Sequence, residues 1–285
     1  MTDPAGELRS LISLLDDESA DIFDAVRKKL ISIGPEAVPA LRDAAGSDSL
    51  IIRDRARDIA EKIIGLSLRS QFGELLLHAE GGDINLEKAV LLLARYEYPD
   101  LDTKAYSDML SLWAQQLKSK LAGHNDPAEL ISLVNEFFIK EKGLQGYRED
   151  YYNPSNSYIN CVLDTRKGIP ISLCVVYILV ARRINIPIEG IGMPSHFVLK
   201  YNIGTKEVFI DPFNGGQFLS REQCIQFIES AGFGFALAYL EKVSNRQIVE
   251  RMIRNLIFAY QQKNDPLRAE TLAGIGAVFG GNLYS

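Results

Sequence analysis

Long apolar runs are scarce in this sequence. The longest, residues 169–181, spans 13 residues, short of the roughly 20 that a bilayer-crossing helix needs, so it reads as a buried core helix and no membrane partner is expected. The first ten residues, MTDPAGELRS, carry acids where a secretory leader would carry positive charge, and no apolar stretch follows them; export is not expected. Cysteine is equally sparse. Cys161, Cys174 and Cys224 show neither CxxC nor any other metal-ligand spacing, and an odd count suits reduced thiols in the cytoplasm better than a disulfide framework. Excess positive charge is missing too. Against 37 Asp and Glu stand 31 Lys and Arg, a net charge of −6, which argues against a polyanion-binding surface and so against nucleic acid as a partner. No phosphate loop, dinucleotide fingerprint or metal cluster stands out, and no cofactor is expected. What remains is an ordinary globular composition, 47% hydrophobic and 24% charged, in a chain long enough for two or three compact units.

From residue 6 to about residue 122 nearly every segment repeats its apolar residues at helical spacing. In DIFDAVRKKLISIGPEAVPALRDAAGSDSLIIRDRARDIAEKIIGL the residues Ile22, Val26, Leu30, Val38, Leu41, Ile52, Ala56 and Ile59 form apolar stripes, broken by IGPEA. The pattern of helix, GPEAVPAL turn and helix resembles a HEAT-type repeat; an ordinary helical hairpin is the alternative. Three further helices are separated by EYPDLD and GHNDP, and Asp126 before Pro127 predicts an N-cap with proline in the first turn. After Phe138 the chain turns polar, aromatic and turn-rich. Asn153-Pro154 forces a turn, and Asn156 or Ser157 is placed to cap a helix reaching about Arg166. The expected organisation is a helical unit over 1–125, an α+β core over 126–240 and a helical tail over 241–285.

Of the three histidines, His196 is the one placed for chemistry. The segments IEGIGMPSHFVLKY and EVFIDPF are strand-like and joined by NIGTKE. A hairpin centred between Gly204 and Thr205 sets His196 opposite Phe213 and diagonal to Asp211, on one face and roughly 7–8 Å away at the backbone. An aspartate there would fix the histidine tautomer and support an imidazolium; the alternative is a strand-end histidine and an Asp-Pro turn with no shared task.

Taken in order, GIPISLCVVYILVARRINIP, GIGMPSHFVLKY and VFIDPFNGG resemble the transglutaminase-like superfamily, whose papain-like cores run from a Cys at the head of a helix to a His-led strand and an Asp-Pro-containing strand. More closely, LLLARYEYPDLD, LISLVNEFFIKEKGLQG, DYYNPSNSYINCVLDTRKGIPISL, MPSHFVLKY and FIDPFNGG resemble the bacterial SirB-type family, in which a helical N-terminal segment precedes the core and a tetratricopeptide-like tail follows it; the likeness is best over residues 85–215. It implies an α+β fold with a small antiparallel sheet, the superfamily's base at His196 and its orienting carboxylate at Asp211. Counted back from INIPIE, the nucleophile position falls on Pro170, which has no nucleophilic side chain.

Two neighbours are candidates to stand in. Ser172 falls in the first turn of the helix, where the dipole and His196 would activate a hydroxyl, or where it simply satisfies the helix end. Cys174 stacks one turn from Pro170 on the same face, inside an apolar run that raises a thiol's pKa and keeps it inert. Tyr152 and Asn156 belong to a family-like motif and either line the same cleft or serve turns and caps. Two functions follow. One is a catalytically silent cleft, with Pro170 at the nucleophile position, that binds a protein or peptide. The other is an amide or thioester hydrolase or acyl-transferase using His196, Asp211 and Ser172.

Overall fold

The structure, a computed structural model, describes residues 4–79 and 82–280; the last five residues of the expected tail and the first three of the chain lie outside the described residues. Contacts divide the chain into two compact units, Met1–Leu77 with Asn264–Ser285, and His78–Lys263. This is a different cut from the one at residue 125 that composition suggests.

The first unit is helical: α1 (Pro4–Ser13), α2 (Ala20–Ile33), α3 (Val38–Ala44), the long α4 (Leu50–Leu77) and α12 (Pro266–Gly276). The IGPEA break is real. Gly34 takes φ +77 after α2, and a short 3-10 turn, Gly34–Ala37, leads into α3. Helices α4 and α12 pack together, closely enough at Gly65 that a Cβ there would lie 2.9 Å from the Thr271 methyl. Phe72 and Phe279 meet edge to face in the same interface.

The second unit holds α5 (Leu86–Ala94), α6 (Thr103–Lys120), α7 (Pro127–Glu136), α8 (Ile159–Thr165), α9 (Pro170–Arg183), α10 (Arg221–Ser230) and α11 (Asn245–Gln262). Asn85, Asp102 and Asp126 each accept a backbone N–H three residues on, capping α5, α6 and α7. The texture change near residue 125 falls in the α6–α7 connection. It is not a division between compact units, because α6 packs on α9 while α5 packs on α8 and α11.

Helix α9 is the centre of this unit. Its residues from Pro170 to Ala181 are all buried, as a helix apolar on every side requires. Pro170 occupies the first turn, where the missing N–H has no intrahelical partner to lose. Helix α8 is not capped by Asn156 or Ser157: Tyr158 sits at the N-cap without a side-chain bond, and the two polar residues are instead buried.

Beside α9 lies an antiparallel sheet in the order β3 (Glu189–Ile191), β4 (Val198–Ile203), β5 (Lys206–Asp211), β6 (Gln217–Leu219). A parallel pair, β1 (Gln145–Gly146) and β2 (Lys167–Gly168), adjoins the start of α9. The β4–β5 register pairs Leu199 with Ile210 and Tyr201 with Val208, as the hairpin centre at Gly204 and Thr205 requires. The segment IEGIGMPSHFVLKY is not one strand. It divides into β3 and β4 around a turn in which Ser195 adopts φ +58 and the His196 N–H donates to the Met193 carbonyl at 3.3 Å.

Candidate functional site

The loop after β5 shows how the motif IDPFNGG builds a site. Asp211 ends the strand and caps the short turn Pro212–Asn214, accepting from the Asn214 backbone N–H at 3.1 Å and from its side-chain amide at 2.7 Å. Gly215 and Gly216 follow with φ +72 and +73 and turn the chain back into β6. At Gly216 a Cβ would lie 2.3 Å from Asn135 Oδ1. Asn135 donates to the Gly216 carbonyl at 2.7 Å and accepts from the Tyr177 hydroxyl at 3.1 Å, tying the loop to α7 and α9.

His196 shares the oxygen that accepts from the Asn214 amide: Nε2 lies 2.7 Å from Asp211 Oδ2, with both side chains buried. A carboxylate only accepts, so Nε2 carries the proton, and in the neutral imidazole Nδ1 is left as the acceptor. Burial works to raise the Asp211 pKa, but the hydrogen bond and charge of His196 and the two bonds from Asn214 outweigh it, and the net displacement is downward. From the other side Arg251 donates to the His196 carbonyl at 2.8 Å. The imidazole also touches two rings, Phe227 at 5.1 Å and Phe213 at 6.3 Å between centroids.

The nucleophile candidates are differently placed. Ser172 is fully buried; its hydroxyl donates to the Asn156 carbonyl at 2.6 Å and accepts from the Ile169 N–H at 3.1 Å. It closes the helix start, and its one hydroxyl proton is committed to a backbone carbonyl. Asn156 is the other half of that joint, its amide donating to the carbonyls of Asp150 at 2.6 Å and Tyr151 at 3.3 Å. Cys174 is fully buried, its thiol 3.7 Å from the Phe197 carbonyl. Burial, aided by the negative charge of Asp211, pushes its pKa well up, and Arg251 offsets this only in part. Burial also raises Cys161 and takes Cys224 to about 12; all three are free thiols.

Tyr152 is surface-exposed and belongs to an array of rings that reaches the histidine. Phe258 meets Tyr152, Tyr152 meets Tyr151, Tyr151 meets Phe213, and Phe213 meets His196, all edge to face. Exposure of Phe258 (46%), Tyr152 (45%) and Phe227 (37%) leaves much of this array open to solvent. Sequence reasoning missed Phe258, Arg251 and Arg254, although their spacing of three and four residues puts them on one face of α11. No group of His, Cys, Asp and Glu among the described residues could hold a metal ion.

A central helix packed on a small antiparallel sheet, with a buried His–Asp pair at one end of the two inner strands, defines an α+β core of the papain-like kind. Residues 104–254 match the profile of the transglutaminase-like superfamily, more than half of the chain, and the chain belongs to that superfamily. It is 35% identical over 185 residues to a UPF0162 protein of Xylella fastidiosa (strain 9a5c), covering 63% of this chain and 66% of the relative. Against a UPF0162 protein of Vibrio cholerae it is 38% identical over 135 residues, 47% of either chain. Human F-box only protein 21 shares 30% identity over 138 residues, 46% of this chain and 22% of that protein. The chain thus spans just under two thirds of the longest-matching of these relatives. No solved structure matches it significantly.

Proposed function

We propose that the protein is a binding module built on a transglutaminase-like core, taking a protein segment or peptide non-covalently at the surface around His196, with its covalent chemistry silent. The observation that carries this reading is the contrast between reactive groups and rings. Counted along the sequence, Pro170 falls on the nucleophile position; Ser172 is committed to backbone partners and Cys174 is sealed in the core, whereas Phe227 beside His196 and Tyr152 and Phe258 further along the array are exposed. Without an activated nucleophile the acyl-enzyme route is closed, while Nδ1 of a histidine held by Asp211 remains an acceptor for a ligand N–H. The match to F-box only protein 21, confined to 22% of that protein, supports use of the core as a part within larger chains. The finer likeness to SirB-type proteins and a cytoplasmic setting, without nucleic-acid or membrane partners, belong to the same reading.

Two measurements on the full chain test it. Iodoacetamide should alkylate all three thiols slowly, and a fluorophosphonate should leave Ser172 unlabelled; the Pro170→Cys variant should gain a rapidly alkylated thiol that depends on His196, because a cysteine at a helix N-terminus has a lowered pKa. Peptides selected from a random display pool should lose binding to a Tyr152→Ala, Phe258→Ala variant. Fast labelling of Cys174 or Ser172 in the parent would instead support the hydrolase or acyl-transferase reading, and a pool yielding no binder dependent on these rings would remove the binding reading.

A further inference from the structure

The surface around His196 carries charge as well as rings. On α11, Arg251, Arg254 and Phe258 share one face. Arg251 is largely enclosed: its guanidinium lies 5.6 Å from the Phe197 ring centroid and donates to the His196 carbonyl. The ionisable groups close enough to influence it are Arg254, Tyr151 and Cys174, none of them a carboxylate. Arg254 is half-buried, and among the described residues it has no hydrogen-bond or ion-pair partner. A third cation, Arg148, lies over the Phe213 ring and bonds the Asn214 side chain.

Two acids of the same segments are engaged elsewhere. Glu250 pairs with Arg246, and Asp150 faces Lys263 at 3.6 Å and accepts from the Asn153 amide. Two guanidiniums one helical turn apart repel each other, and enclosing one without an anion costs more. Desolvation, with Arg254 adding to it, brings the Arg251 pKa down to about 10. In a chain whose net charge is −6, this is a local reversal of sign beside exposed aromatic rings.

We propose that this surface receives an acidic, aromatic-bearing linear segment of a partner protein, a Glu or Asp side chain of the segment engaging Arg254 and Arg251 while its apolar neighbours cover Tyr152 and Phe258. The inference rests on the binding reading above and adds the partner's chemistry. Arg251 already has a structural task at the His196 carbonyl. Arg254 has none, and an incoming carboxylate gives it one: a charge-assisted, fork-shaped pairing that a lysine would not reproduce. Rings around the arginines supply apolar contact and lower the local dielectric, which strengthens such a pair.

The test uses two synthetic peptides, acetyl-Phe-Glu-Glu-Phe-amide and its neutral twin acetyl-Phe-Gln-Gln-Phe-amide, titrated into the isotope-labelled full chain and followed by NMR at the Arg251 and Arg254 side-chain N–H groups and the Tyr152 and Phe258 rings. The acidic peptide should shift these resonances and bind roughly tenfold more tightly than its twin. Raised salt and the Arg254→Gln variant should each remove most of that difference, with unfolding of the variant unchanged. Equal binding of both peptides at this surface would overturn the acidic preference while leaving the binding module standing. Binding of the acidic peptide elsewhere, or of neither peptide, would also overturn it, and the display selection then decides the binding module separately.

Discussion

Replacing Asp211 by alanine removes the acceptor for three donors at once: His196 Nε2 at 2.7 Å, the Asn214 amide at 2.7 Å and the Asn214 backbone N–H at 3.1 Å. Asp211 is 3% exposed and His196 6%, so water does not readily take its place. Each donor left stranded in such a site costs about 1–3 kcal/mol, and loss of the turn cap adds about 1 kcal/mol. Part is recovered when the imidazole changes tautomer and the loop relaxes. A net loss of about 3–5 kcal/mol is expected, the range seen when one member of a buried pair is deleted. Trp113, the single tryptophan, is buried on α6 in the same unit and reports its unfolding in urea by fluorescence. Asp211→Asn, which keeps the shape and one acceptor oxygen, should lose less. A cycle with His196→Ala should show the double variant losing less than the sum of the singles by about 1–3 kcal/mol. If Asp211→Ala loses under about 1 kcal/mol, or if the two substitutions simply add, the pair does not hold this corner of the fold as argued.

Acid titration gives a second check. The native Asp211 pKa is lowered, so its contribution is complete above the unfolded carboxyl pKa of about 3.9 and is lost as pH falls through the still lower native value; the stability gap between parent and Asp211→Asn should therefore stay level from neutrality down to about pH 4 and narrow only below it. Gly216→Ala should destabilise by more than about 2 kcal/mol in the same urea assay, because φ +73 strains any L-residue and the new Cβ meets Asn135 at 2.3 Å; a neutral outcome would mean that the β5–β6 turn is not pinned. Tyr177→Phe leaves Asn135 Oδ1 without its donor while preserving the stack on Phe138 at 3.9 Å, for an expected loss of about 1–2 kcal/mol and faster amide exchange at Gly216.

Some of this was legible in the sequence for physical reasons. Helix α9 announces itself because a run buried on every side must be apolar on every side, and the hairpin register follows from one glycine turn and the alternation around it. Asp126 could be read as a cap because a side-chain oxygen before proline has few other uses. The three-residue strands β3 and β6 offered no periodicity; β3 was hidden in a longer segment divided by the left-handed Ser195, and β6 falls just past the FIDPFNGG motif. Asn156 and Ser157 suit a helix cap equally well in composition, yet tertiary packing draws Asn156 inward to hold the 150–156 loop against the start of α9. The α11 face of Arg251, Arg254 and Phe258 was visible as spacing, but it acquires meaning only when the fold brings His196 and Tyr152 beside it, a contact across many residues that local pattern does not encode.

The first unit is assembled from both ends of the described chain, with α12 returning to α4 and Arg57 meeting Asp265 across a separation of 208 residues. During synthesis α4 therefore leaves the ribosome long before its partner exists, its Phe72 and Leu68 flank waiting uncovered while the whole intervening unit is made. The intervening unit can complete its own core in that interval, since its contacts need nothing beyond Lys263. Helix α12 thus acts as a closing stitch, and a ribosome stalled before residue 264 would present a finished core attached to an unfinished helical unit with an apolar flank available to chaperones.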